Sequence, residues 1–348
     1  MIDRRLSRAA RPFRRLVRAG VHRADAKFIR RVAKDIVGPS GTWAVRSARR
    51  ARSGTRIVLL EDSQGSQAFL KLTNSADGSA QLAREREMLT ELATRIADAD
   101  LRTFLPEPID AGQRGRWAYL LQRAVPGEPG TPLLASATSR RWLLREAASL
   151  AVRLHDATVT QARLTSAELD AWVDRPIQLI GRLATPSPAI AGRLQAMGTE
   201  LRDALTGMTL KLGFIHGDFW SENLLADYGA RRITGVVDWD SADPANLVAH
   251  DLLHLVLYTR KLVRKSEIGG EICRALDPDP QWEPEEQLAI QHVTSQTVPP
   301  VGTGRDDLRL PVLLYWLRLV SMNHARQPRV TSHRRWVADN IDAVLTCF

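Results

Sequence analysis

The stretch His216-Gly217-Asp218-Phe219-Trp220-Ser221-Glu222-Asn223 constrains this chain more than any other. It sets polar side chains between two apolar runs, Phe214-Ile215 before it and Leu224-Leu225-Ala226 after it. A further apolar run, Ile233–Val237, ends on Asp238-Trp239-Asp240. Short apolar runs bounded by turn residues read as buried strands. The fold must therefore hold together strand ends that carry a carboxylate, an amide five residues on, and a second carboxylate twenty residues after the first.

That set has a chemical meaning. Phosphoryl transfer from a nucleotide uses one carboxylate to orient or deprotonate the attacking hydroxyl. An amide oxygen and a second carboxylate hold magnesium, a hard cation that takes oxygen donors and keeps several waters. Singly, Asp218 reads equally as a turn or cap residue, Asn223 as a loop amide and Asp238 as a strand-end turn. The order and spacing of all three together point to the phosphoryl-transfer chemistry.

The periodicity of the chain changes along its length. Thr42–Ala48, Thr55–Glu61, Gln67–Thr73 and Trp117–Ala124 read as strands, and Ala80–Ala97 reads as a helix with Leu82, Leu89, Leu92 and Ile96 on one stripe. A loop is expected around Pro106 and Pro108, and a lobe boundary at Val125-Pro126-Gly127. Beyond it, Ser139–Asp156, His250–Val263 and Leu310–Met322 have helical spacing, interrupted by short strands between 213 and 237. The expected fold is α+β, a small antiparallel sheet with a helix followed by a larger, mainly helical part. The divisions are a basic amphipathic segment 1–36, a unit 37–125 and a unit 126–348.

The motif His-Gly-Asp-Phe-Trp-x-x-Asn-Leu-Leu at 216–225 resembles the catalytic loop of the aminoglycoside phosphotransferase and choline kinase-like family. Val237-Asp238-Trp239-Asp240 resembles the magnesium segment of that family, with Trp where protein kinases carry Phe-Gly. Ala242-Asp243-Pro244 and His250-Asp251-Leu252-Leu253 resemble the segment that follows. The resemblance implies a two-lobed protein-kinase-like fold whose N-lobe binds the nucleotide and whose C-lobe carries the catalytic loop and substrate site. It implies an ATP- and Mg-dependent phosphotransferase, with GTP as the alternative nucleotide, acting on a hydroxyl of a small-molecule alcohol (an antibiotic, amino sugar, sugar or choline-like compound).

Carried over residue by residue, Asp218 is the implied catalytic aspartate, Asn223 and Asp238 the metal ligands, and His216 and Asp251 braces of the loop. Lys71, in the strand Ala68–Leu72, resembles the phosphate-binding lysine. Its partner is Glu85 or Glu87, and Glu85 fits better because Leu89 follows it by four residues. The phosphate-covering turn departs from a glycine series: Ser53 and Gly54 in 49–55 are candidates, with 37–41 as the alternative. Gln122 lies in the segment implied to contact the nucleotide base. Trp220, Glu222, Asp240 and Asp243 are candidate acceptor residues, and the acidic ones suit an amine. His155 reads as a core or helix-end histidine.

Charge and composition narrow the rest. Residues 1–150 carry a net charge of +13 and residues 151–348 a net charge of −3, which suits a polyphosphate in the front half. Residues 1–36 hold twelve Lys and Arg with apolar residues at helical steps, a pattern that packs on the fold or contacts a membrane or a protein peripherally. No recognised nucleic-acid module appears, so no nucleic-acid partner is expected. No apolar run reaches the roughly eighteen residues of a span, and the Arg-rich start lacks an apolar signal core. Cys273 and Cys347 have neither metal-ligand spacing nor the density of a disulfide framework, so a cytoplasmic setting is expected. The competing readings are a protein kinase, disfavoured by Trp239, and a nucleotide-binding scaffold docked through residues 1–36.

Overall fold

The computed structural model describes residues 29–33, 35–36, 43–51, 54–297 and 308–348. It contains two compact units, one drawn from the chain up to Ala93 with Leu105–Val125, the other from Thr94–Phe104 with Pro126–Phe348. No helix among the described residues is long and apolar enough to cross a membrane.

The first unit is built on a five-stranded antiparallel sheet. Its strands are β1 (Trp43–Arg50), β2 (Arg56–Asp62), β3 (Gln67–Thr73), β4 (Pro108–Arg114) and β5 (Trp117–Arg123), in the order β1-β2-β3-β5-β4. Two-residue alternation sends Val58 and Leu60 of β2 and Ala68, Leu70 and Leu72 of β3 into one core with Trp117, Tyr119 and Leu121. Ile29, Ala33 and Ile36 complete that core, with Val32 at its margin. The end of the basic segment thus packs on the sheet through 29, 33 and 36. Residues 1–28 of that segment lie outside the described part. The region around Pro108, read as loop, is strand β4: it is an edge strand with a register shift between Pro108 and Asp110, where a missing backbone N–H is tolerated.

Between β3 and β4 runs helix α1 (Ala76–Arg95). It buries Leu82, Glu85, Met88, Leu89 and Leu92, a stripe of helical spacing that includes one carboxylate. It begins four residues earlier than the apolar stripe suggests, because Ser75 caps it: Gly78 N–H donates to the Ser75 hydroxyl.

The second unit holds the helices α2 (Ala137–Asp156), α3 (Ala249–Arg264), α4 (Ile268–Ala275), α5 (Pro284–Thr297), α6 (Arg309–Arg326) and α7 (Ala343–Cys347). Helix α2 starts where the Ser136 side chain accepts from Ser139 N–H, a standard satisfaction of an orphan donor. Helix α3 buries every residue from Ala249 to Leu257, as expected of a helix at the centre of a bundle, and it packs against α2, α5 and α6. Two three-stranded sheets flank the bundle: β10 (Arg232–Val236), β9 (Leu224–Asp227) and β6 (Glu128–Pro129) in one, β11 (Asp243–Leu247), β8 (Thr209–Ile215) and β7 (Thr160–Arg163) in the other. The two cysteines, which their number and spacing do not mark as a pair, form a disulfide from α4 to α7. It closes a separation of 74 residues.

Candidate active site

Four of the expected residues are gathered by strand pairing in the second unit. Strand β8 ends at Ile215 and delivers His216; β9 begins just after Asn223; β10 ends two residues before Asp238. Pairing of β9 with β10 and of Ile215 with Asp243 lays the loop 216–223 beside the segment 237–242. Two hydrogen bonds fasten them: Val237 N–H donates to Asn223 O at 2.9 Å, and His216 Nε2 donates to Val237 O at 2.9 Å. Asp218 N–H donates to His216 Nδ1 at 3.2 Å, so the proton of that imidazole belongs on Nε2. Trp239 is buried, donates from its indole to Val236 O at 2.9 Å and meets the His216 ring at 4.6 Å. Here the tryptophan in place of Phe-Gly is a packing wedge beneath the loop.

Gly217 answers a steric demand. Its φ is +79°, and a Cβ there would lie 2.3 Å from Ser241 O and 2.4 Å from an Arg318 nitrogen. Only glycine permits both the left-handed backbone and that approach.

The loop backbone is braced from α3. Asp251, fully buried, accepts from His216 N–H at 2.7 Å and from Gly217 N–H at 2.8 Å. His155 of α2 lies 3.2 Å from the same carboxylate. Burial alone would raise the Asp251 carboxyl, but the His155 hydrogen bond, the nearby charge and the loop amides hold it down to about 2. Arg318 of α6, partly buried, donates to Gly217 O at 3.1 Å and to Ser241 O at 3.2 Å, tying the two segments to one guanidinium.

Asp218 stands a quarter exposed, with 26% of its side chain accessible. Its Oδ1 lies 3.2 Å from His254 Nε2 and its Oδ2 lies 3.7 Å from an Arg326 nitrogen. Burial raises its carboxyl, but the His254 hydrogen bond and charge, then Arg326, then His216, outweigh burial and keep it well below the usual carboxylate range. Asp218 is therefore ionised, with the His254 ring beside one oxygen and the Arg326 guanidinium beside the other.

Asn223 and Asp238 have the chemistry of a magnesium site. The Asn223 amide nitrogen donates to Asp218 O at 2.9 Å and toward Asp218 Oδ2 at 3.3 Å, so the amide oxygen is directed away from Asp218. Asp238 holds φ +66°, ψ +63°, a strained conformation for a side-chain-bearing residue that sets the orientation of its carboxylate at the strand end. Two hard oxygen donors on adjacent segments fit a cation that completes its shell with water and phosphate.

In the first unit, alternation turns Lys71 to the sheet face opposite Leu70 and Leu72. Its ammonium donates to both oxygens of Glu85, at 2.7 and 2.8 Å, with side chains 9% and 3% exposed. Glu87 is exposed on the other side of α1, which decides between the two glutamates. Gly54 closes the β1–β2 hairpin at φ +89°, its N–H donating to Ala51 O; Ser53 lies outside the described residues, as does the alternative turn at 37–41. Gln122 is buried in β5 opposite Phe69 and Pro108, and its Oε1 has no hydrogen-bond partner among the described residues.

The candidate acceptor residues divide. Trp220, partly exposed, faces Tyr258 of α3 at 5.7 Å. Glu222 is exposed and accepts from the Thr131 hydroxyl at 2.8 Å. Asp240 accepts from Arg326 at 2.9 Å. Asp243 accepts from Ala245 N–H at 3.0 Å and from the Asn246 amide at 2.9 Å, which makes it a strap of the turn into β11.

His254, Arg318 and Arg326 are absent from the sequence reading. His254 is one helical turn beyond Asp251 and shares its face. Arg318 is the lone cation in the apolar run from Pro311 to Val320, a signal that was legible. Arg326 falls four residues past the helix end drawn at Met322.

The fold is that of small-molecule phosphotransferases in solved structures. Macrolide 2'-phosphotransferase MphH of Brachybacterium faecium aligns at 16% identity over 90% of this chain and 98% of that one, with a TM-score of 0.55. A thermostable mutant of aminoglycoside phosphotransferase APH(4)-Ia, in ternary complex with ADP and hygromycin B, aligns at 15% over 87% and 95%, with a TM-score of 0.54. Amicoumacin kinase hAmiN, in complex with AMP-PNP, Ca2+ and Ami, aligns at 15% over 91% and 92%, with a TM-score of 0.51. No curated protein matches the sequence significantly. The model of the phosphotransferase enzyme family matches residues 47–284, and the chain belongs to that family.

Proposed function

We propose that the protein transfers the γ-phosphoryl group of ATP to a hydroxyl of a small molecule. The observation that carries this reading is the convergence of Asp218, Asn223 and Asp238 on two adjacent, mutually hydrogen-bonded segments. Asp218 accepts the hydrogen bond of the acceptor hydroxyl and directs its oxygen at the phosphorus. Its low carboxyl favours orientation over holding the proton in the ground state. The Asn223 amide oxygen and the Asp238 carboxylate would hold magnesium, which when bound neutralises charge on the phosphate oxygens. In the first unit, Lys71 is the group for phosphate contact, and Glu85 fixes its ammonium.

The related solved structures supply the acceptor class by analogy. Their names speak of macrolides and aminoglycosides, and one was solved with ADP, another with AMP-PNP. Hydroxylated antibiotics and metabolites are accordingly the acceptors to screen. The test incubates the full chain with magnesium and γ-labelled ATP against a broad set of such alcohols. A labelled phosphate ester of one of them is the expected product. Label appearing only on proteins, or no ester from a folded protein that binds ATP, would overturn the reading.

A further inference from the structure

The acidic residues around the loop invite a cationic acceptor when read in the sequence, but the structure has already engaged them. Asp240 pairs with Arg326. Asp243 is consumed by Ala245 N–H and Asn246. Glu222 is turned to the neutral Thr131 hydroxyl. Asp218 faces His254 on one oxygen and Arg326 on the other. A guanidinium, itself 30% exposed, stands over the carboxylates that an ammonium would need.

Arg326 is the last residue of α6, where a cation also meets the negative end of the helix. One of its terminal nitrogens donates to Asp240 and to the Ser241 hydroxyl, and the other faces Asp218. The group thus bridges two segments of the site. Beside them, partly buried Arg318 adds a second positive charge against Gly217 O and Ser241 O. Nearby, Trp220 and Tyr258 present partly exposed rings, Tyr258 stacked on His254.

We propose that Arg326 selects the acceptor by charge, admitting hydroxylated molecules that are neutral or anionic beside the reacting hydroxyl and rejecting polycations. This rests on the phosphotransferase reading above. An ammonium next to the hydroxyl would meet the Arg326 guanidinium, and bringing like charges together in a partly desolvated site is costly. A neutral ring compound would lie against Trp220 and Tyr258, and a carboxylate or phosphate would match the guanidinium fork. Arg326 acts here on specificity, and its signature is a ratio between acceptors.

The experiment measures kcat/KM with γ-labelled ATP for a broad set of alcohols sorted by charge. It includes glucose, glucuronate and glucosamine as a matched neutral, anionic and cationic trio, and kanamycin as a polycation. Wild type, Arg326→Gln and Arg326→Lys are compared after circular dichroism and ATP binding establish that each is folded. The expected result is that wild type favours neutral or anionic members. Arg326→Gln raises the cationic-to-neutral ratio by roughly tenfold or more, and Arg326→Lys keeps the wild-type ratio. A wild-type preference for cationic acceptors, or an equal fall for all acceptors in Arg326→Gln, would overturn the inference while leaving phosphoryl transfer standing. No transfer to any alcohol would overturn both.

Discussion

His254 Nε2 lies 3.2 Å from Asp218 Oδ1, and the other nitrogen of the same ring lies 3.0 Å from the Tyr315 hydroxyl. The ring is thus held between the Tyr315 hydroxyl and the carboxylate. Stacking on Tyr258 at 4.1 Å fixes the ring plane. The arrangement gives His254 the task of holding Asp218 in one rotamer. We predict that His254→Phe lowers kcat about 10- to 100-fold, since small misplacements of a reacting group cost that much. The KM for ATP should stay near wild type while the urea midpoint falls, because the buried Tyr315 hydroxyl loses its partner; steady-state kinetics with a urea titration read all three.

The Lys71–Glu85 pair separates stability from function. Removing one partner of a buried ion pair strands a charge, at about 3–5 kcal/mol, whereas replacing both by apolar groups is often neutral. Lys71→Met should destabilise the fold in urea, and Lys71→Met with Glu85→Leu should recover most of that loss. Turnover should stay low in both variants. Recovery of turnover along with stability would deny Lys71 a role with phosphate.

Acid should weaken the fold in two stages. Burial lowers His250 from 6.5 to about 3, with Arg318 adding to the effect. The unfolded chain therefore binds this proton first, and stability is lost as pH falls from 6.5 toward 3. Asp251, lowered from 3.8 to about 2, adds a loss confined below pH 3.8. Urea unfolding at stepped pH measures the slope. His250→Phe should flatten the upper stage and leave the lower one in place.

The disulfide is open to a direct check. Closing a 74-residue separation restricts the unfolded chain, and such crosslinks contribute about 2–4 kcal/mol. Reductant, or Cys273→Ser with Cys347→Ser, should lower the urea midpoint correspondingly. An unchanged midpoint would show that helices α4 and α7 hold together without it.

The candidate site was legible because its residues are local: Asp218, Asn223 and Asp238 lie within 21 residues, and strand ends carry them. Lys71 and Glu85 were legible through the resemblance, Lys71 by its place in an apolar strand and Glu85 by Leu89 four residues on. What escaped came from distant helices. Arg326 reaches Asp218 across 108 residues of sequence and Arg318 reaches Gly217 across 101, and no spacing rule links such positions. Asp243 misled because a carboxylate near a motif reads alike whether it binds a ligand or caps a turn. The cysteine pair escaped because two cysteines alone do not announce a bridge. Strand β4 escaped because proline argues against strand everywhere except at an edge.

The most direct measurement of the central claim is transfer of labelled γ-phosphate by Asp218→Ala beside wild type, with ATP binding measured on both. ATP binding is expected to be retained, and formation of the phosphate ester to fall by about a thousandfold or more, the scale on which a positioned acid–base and orienting group acts. Undiminished ester formation by Asp218→Ala would contradict that claim.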